Sequence, residues 1–132
     1  MIASGGRAAS RARCAICALA LVAGCTRPAL VPDEPRTISG ERLAPYQSLG
    51  ECVNLRTGDR LDYLYSSSQQ VSFDISYREG TATLAPVVRE NSLGDSGIFV
   101  AALSARFCLS WEAGPAGAII DYRLRLKPAP PG

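Results

Sequence analysis

The chain has 132 residues, at most one ordinary domain, with 47% hydrophobic and 20% charged residues, so its bulk is built to bury a core rather than to stay disordered. Fourteen basic residues face twelve acidic ones, and three of the basic ones (Arg7, Arg11, Arg13) lie in the first thirteen residues. That excludes a strongly basic nucleic-acid binder, and the absence of any histidine removes His-based acid–base catalysis, Ser–His and Cys–His pairs, and histidine metal ligands.

Taken in chain order, the first feature is a processing segment over residues 1–24. Arg7, Arg11 and Arg13 make a positive region, and Cys14 to Val22 follows as an apolar run of signal-peptide length, half of what a bilayer span needs. Leu21-Val22-Ala23-Gly24-Cys25 resembles the lipobox of bacterial lipoproteins. The resemblance implies cleavage between Gly24 and Cys25 and acylation of the Cys25 thiol, with membrane lipid as the partner of that residue and several acyl chains giving a stable anchor. It places the protein in the cell envelope, and Thr26 after the cysteine favours the outer membrane, facing the periplasm; free secretion is the alternative. Residues 25–49 hold Pro28, Pro32, Pro35 and Pro45 without a clear period, which predicts an extended tether.

From residue 50 to 127 the dominant period is two, the mark of strands. Seven short strands are predicted. They are Glu51–Leu55, Arg60–Tyr65, Val71–Tyr77, Thr81–Val88, Ile98–Leu103, one around Phe107, Leu109 and Trp111, and a last from Ala118 to Leu126. Pro86 removes a ladder donor and puts its strand at a sheet edge. Ser66–Gln70 reads as a connection, Arg78-Glu79-Gly80 as a hairpin turn, Arg89–Gly97 (including Asn91 and Asp95) as a polar loop, and Glu112–Gly117 as a turn. Tyr63, Tyr65, Tyr77 and Trp111 have inward parity and are assigned to the core. The fold class expected is an all-β antiparallel sandwich, jelly-roll-like, after a signal helix, with residues 128–132 as an irregular tail.

Of five cysteines, Cys14 and Cys17 leave with the signal and Cys25 takes lipid. Cys52 and Cys108 remain as an even pair in an oxidising compartment, each opposite its strand's apolar face, and are expected to form a disulfide.

The runs Gly58-Asp59-Arg60-Leu61, Val71-Ser72-Phe73-Asp74-Ile75, Tyr77-Arg78-Glu79-Gly80, Gly97-Ile98-Phe99, Phe107-Cys108-Leu109-Ser110-Trp111-Glu112 and Tyr122-Arg123-Leu124 are similar to GOLD-type domains, the β-sandwich modules of the emp24/p24 family. The resemblance implies a binding or interaction module; no functional site carries over with it.

The expected function is therefore a lipid-anchored envelope binding module without catalytic residues, cofactor or metal, taking an envelope protein or glycan. Arg78, Glu79, Gly80, Asn91 and Asp95 are its candidate binding-loop residues, because loops on a rigid sandwich carry contacts. The alternatives are a periplasmic inhibitor of lysozyme or protease, which calls for a protruding loop, and a small envelope hydrolase using a carboxylate pair such as Asp59 with Asp62 or Glu112 with Asp121. Ligand identity and oligomeric state are not legible.

Overall fold

The computed structural model describes residues 27–131. Gly24 and Cys25, with the rest of the processing segment, lie outside the described residues. Six strands follow one another: β1 (Arg36–Leu43), β2 (Ser48–Leu55), β3 (Arg60–Glu79), β4 (Ala82–Val100), β5 (Ala105–Ala113) and β6 (Ala118–Lys127). All pairings are antiparallel, β1 with β6, β2 with β5 and β3 with β4, as in a ribbon wound into a jelly roll.

Two long strands stitch the ribbon into a sandwich. The first half of β3, Arg60 to Ser67, pairs with β6, and its second half, Val71 to Ser76, pairs with β5. β4 follows β3 along both halves. The first sheet is therefore ordered β1-β6-β3-β4 and the second β2-β5-β3-β4. Their inner faces meet in a core of twenty buried apolar residues. Trp111 of β5 stacks on Tyr122 of β6 with ring centroids 4.6 Å apart, and Phe73 lies 4.6 Å from Tyr65 across the bend of β3.

Six strands replace the expected seven because two predicted connections are hydrogen-bonded strand, which merges four strands into two, and because β1 is an additional one. Ser66–Gln70 is the corner at which β3 leaves one sheet for the other. Between the pairs Ser66↔Gly94 and Val71↔Ser92 the ladder shifts register, and the polar side chains there face solvent as in a loop. Arg89–Gly97, expected as a loop, is the matching inner side of the corner within β4. A Cβ at Gly94 would stand 2.8 Å from the Tyr65 carbonyl oxygen, so the close approach of the two backbones requires glycine there.

The expected tether over 25–49 also differs. It contains β1 and the start of β2, and its prolines flank the strand: Pro35 precedes β1 and Pro45 lies in the turn after it. Residues 27–35 form a strap along the open side of the sandwich. Leu30 packs on the core, the Asp33 amide donates to the Leu126 carbonyl at 2.8 Å, and an Arg36 guanidinium nitrogen donates to the Pro28 carbonyl.

The C-terminal tail is tied down through Asp59, a buried carboxylate. Its Oδ1 accepts from the Ala129 amide at 2.8 Å and its Oδ2 from the Arg56 amide at 2.9 Å. These amides, Ala129 first, hold the Asp59 carboxyl below the ordinary carboxylate range. A folded-state value below the unfolded one stabilises the fold above the unfolded value near pH 4, and that share is lost as pH falls through the lowered one. Asp59→Asn is expected to cost about 1–2 kcal/mol at neutral pH and to flatten the acid limb of a stability profile, read as urea midpoints between neutral pH and pH 3.

Candidate functional site

All five residues singled out in the sequence fall on the β3–β4 ribbon, in two separate places. Arg78, Glu79 and Gly80 form its tip. Ser76 is the last β3 residue paired with β5, so from Tyr77 to Leu84 the two strands pair only with each other, while β5 continues to Ala105 paired with β2. Gly80 turns the chain with φ +61°, a conformation that favours glycine. Every residue from Arg78 to Pro86 is exposed. Tyr77 fixes the root of the hairpin by packing on Phe107, centroids 5.1 Å apart. The hairpin therefore has a rigid base and a free tip, with one cation, one carboxylate and the threonines Thr81 and Thr83 for contacts.

Asn91 and Asp95 lie near the corner instead. Asn91 is exposed with φ +51°, the irregular residue at which β4 turns. Asp95 is half-buried, pairs with Arg89 at 3.2 Å and accepts from the Tyr63 hydroxyl at 3.2 Å. That makes Asp95 a brace for the corner. Burial first, then the Asp95 carboxylate, raises the Tyr63 phenol above its ordinary range.

β4 is the free edge of both sheets, opposite the edge carrying β1 and β2. Its side chains are mostly exposed, and they include Leu84, Val88, Leu93, Ile98 and Val100. Pro86, the irregularity at Asn91 and the charges of Arg89 and Glu90 interrupt this edge as a template for strand pairing.

One cluster went unseen in the sequence. Glu51 is buried at 6% exposure on β2, at the same inward parity as Val53 and Leu55. Its carboxylate accepts from the Tyr122 hydroxyl at 2.6 Å and pairs with Arg36, with the Arg27 guanidinium 3.9 Å away. Arg27 also donates to the Tyr122 hydroxyl and pairs with Glu41 at 3.3 Å. Burial and then Glu51 push the Tyr122 phenol far above its usual range, so it stays a neutral donor. A carboxylate breaking an apolar parity was the available signal. The cluster borders an open groove of about 630 Å³ that also holds Asn54 and Arg106. Its bonds seal the sandwich edge where the strap enters.

The carboxylates weighed for hydrolysis are engaged or apart. Asp59 accepts two backbone amides, and Asp62 is held by Arg60 at 2.6 Å, which lowers its carboxyl below the ordinary range. Glu112 is exposed on β5 and Asp121 on β6, where it accepts the Gly40 amide at 2.7 Å. Cys52 and Cys108 form a disulfide between directly opposed positions of β2 and β5, on the outer face of the second sheet.

This architecture defines a small antiparallel β-sandwich module with an exposed two-stranded hairpin. No family model and no curated protein matches the sequence. Among solved structures, the chain is similar to PliG from Aeromonas hydrophila, a periplasmic lysozyme inhibitor of g-type lysozyme, with 9% identity and a TM-score of 0.55 over 75% of this chain and 96% of that one. It is likewise similar to the pre-peptidase C-terminal domain of a Bacillus anthracis collagenase, with 14% identity and a TM-score of 0.51 over 77% and 99%. At these identities the likeness is one of fold.

Proposed function

We propose that the protein is a non-catalytic binding module of the cell envelope, anchored by acylated Cys25 and contacting its partner through the β3–β4 hairpin. The observation that carries this reading is the ribbon from Tyr77 to Leu84, exposed and without a third strand on a base locked to the core. An exposed hairpin on a preorganised base loses little freedom on binding and offers both its faces to a protein or glycan. The GOLD-type resemblance also implies an interaction module, without assigning it a site.

A photo-crosslinking residue at Glu79 of the full chain, expressed in its native envelope, is expected to capture a discrete partner. The same residue at Ser110, on the outer face of the second sheet, captures none. Equal labelling from both positions would refute a hairpin contact.

A second reading, inhibition of a g-type lysozyme, is favoured by the combination of this hairpin with a fold shared over nearly the whole of such an inhibitor. The purified chain would then inhibit that enzyme, with Arg78→Ala and Glu79→Ala weakening the effect together. Absence of inhibition at micromolar protein would reject it.

A further inference from the structure

We propose that the outer face of the first sheet is a docking surface for anionic lipid headgroups, on which the domain lies flat beside its anchor. One observation selects this face, and a second keeps the domain close to the bilayer.

The first is its charge and chemistry. Register places Arg60, Asp62 and Leu64 of β3 beside Lys127, Arg125 and Arg123 of β6, all with outward parity. Arg42 of β1 joins them beside Ile119. Five cations on this face meet two carboxylates, Asp62 and Asp121, and of the ion pairs among the described residues only Arg60–Asp62 lies here. On the β4 side, Leu64, Ile98 and Val100 are 53%, 61% and 55% exposed. The outer face of the second sheet is different: Arg106, with Arg78 at the hairpin end, is balanced there by Asp74 and Glu112 among serines. A face that sets cations beside exposed aliphatic side chains suits a membrane surface, where the cations meet phosphates and the aliphatic side chains enter between the headgroups.

The second is where the folded chain begins. Arg27 is already held against Tyr122, Glu41 and Glu51, in the groove between the β1 edge of this sheet and the β2 edge of the other. Only Thr26 separates it from Cys25, and two residue steps span at most about 7 Å. With Cys25 acylated, that side of the domain stays close to the headgroups, and the charge of the two bordering faces decides which of them lies on the bilayer. This part of the argument rests on the lipid-anchor reading. The charge of the face does not.

The test separates the two. The chain from Thr26 onward lacks the acyl group and contains every residue of the described core. It is expected to co-sediment with phosphatidylcholine vesicles containing phosphatidylglycerol, to bind pure phosphatidylcholine far less, and to be released by high salt. Arg123→Glu is expected to weaken vesicle binding by about tenfold or more. Arg106→Glu, with the same change in net charge on the other sheet, leaves it within about twofold. If Arg123→Glu lowers the melting temperature, Lys127→Glu and Arg123→Gln read the same face.

Equal loss from both faces, or no preference for anionic vesicles, overturns the proposal. Binding to poly-glutamate with none to vesicles would reassign the face to an acidic protein partner, and so also overturns it. Intact mass of the full-length protein extracted from membranes tests the anchor by itself: a mass beginning at Cys25 with acyl chains supports it, and an unacylated mass refutes the anchor whatever the vesicles show.

Discussion

Trp111→Ala is expected to destabilise the protein by about 4 kcal/mol, against a total stability of about 5–15 kcal/mol for a domain of this kind. Trp111 is fully buried and joins the two sheets. It stands on β5 and stacks on Tyr122 of β6, with Phe73 at 5.3 Å and Tyr65 edge-on at 5.9 Å. Truncation removes the largest side chain of the core and leaves a void between elements that the β3–β4 ribbon holds at fixed spacing, so collapse around it is limited. The indole Nε1 has no hydrogen-bond partner in this interior. Trp111→Phe therefore retains most of the packing while removing a buried, unpartnered donor, and is expected to cost about 1 kcal/mol or less. Urea titrations of the three proteins check both values. An alanine variant within about 1 kcal/mol of the parent would mean that the sheets are held mainly by other contacts.

The contrast between these two substitutions reflects what the sequence does and does not reveal. Alternation in Val71-Phe73-Ile75, Phe107-Leu109-Trp111 and Ile120-Tyr122-Leu124 identifies inward faces correctly, because period two is a local consequence of the pleat. Strand ends are another matter. Ser66–Gln70 carries loop chemistry and yet is strand, because a chain turning from one sheet to another exposes both sides while its partner continues alongside. The strap and β1 were masked by prolines, which mark the bounds of that strand rather than its absence. For the candidate site, the hairpin tip was legible from Arg78-Glu79-Gly80, whereas its separation from β5 after Ser76 is a matter of register, set by distant residues. Asp95 shows the opposite error: a polar residue in an apparent loop that spends its carboxylate on Arg89 and Tyr63. The Glu51 cluster joins residues from four places in the chain, and only its parity on β2 hinted at it.

Loss of the Cys52–Cys108 bridge is the other large effect. The bridge spans a sequence separation of 56, and closing a loop of that size in the unfolded chain corresponds to about 4 kcal/mol in the chain-entropy account. The structure makes the site a clean test of that account. The bridge lies on an outer face, with Cys52 exposed and Cys108 half-buried, so serine at both positions removes little packing and leaves no cavity in the core. The double variant Cys52→Ser/Cys108→Ser is therefore expected to keep the native circular dichroism spectrum while its unfolding free energy falls by about 4 kcal/mol, and reduction of the parent should reproduce the fall. A drop under about 1 kcal/mol would indicate that β2 and β5 stay paired in the unfolded ensemble and need no covalent help. The position of the bridge argues for the larger value. Among the described residues β2 is the edge of the second sheet with β5 as its one neighbour, and the pair registers residues 48–55 against 105–112 across more than half of the folded unit. Pairing of such low locality is formed late and lost early unless something shortens the search. The bridge shortens it at the edge that also carries Glu51, and so holds closed the side of the sandwich from which the strap leads back to Cys25.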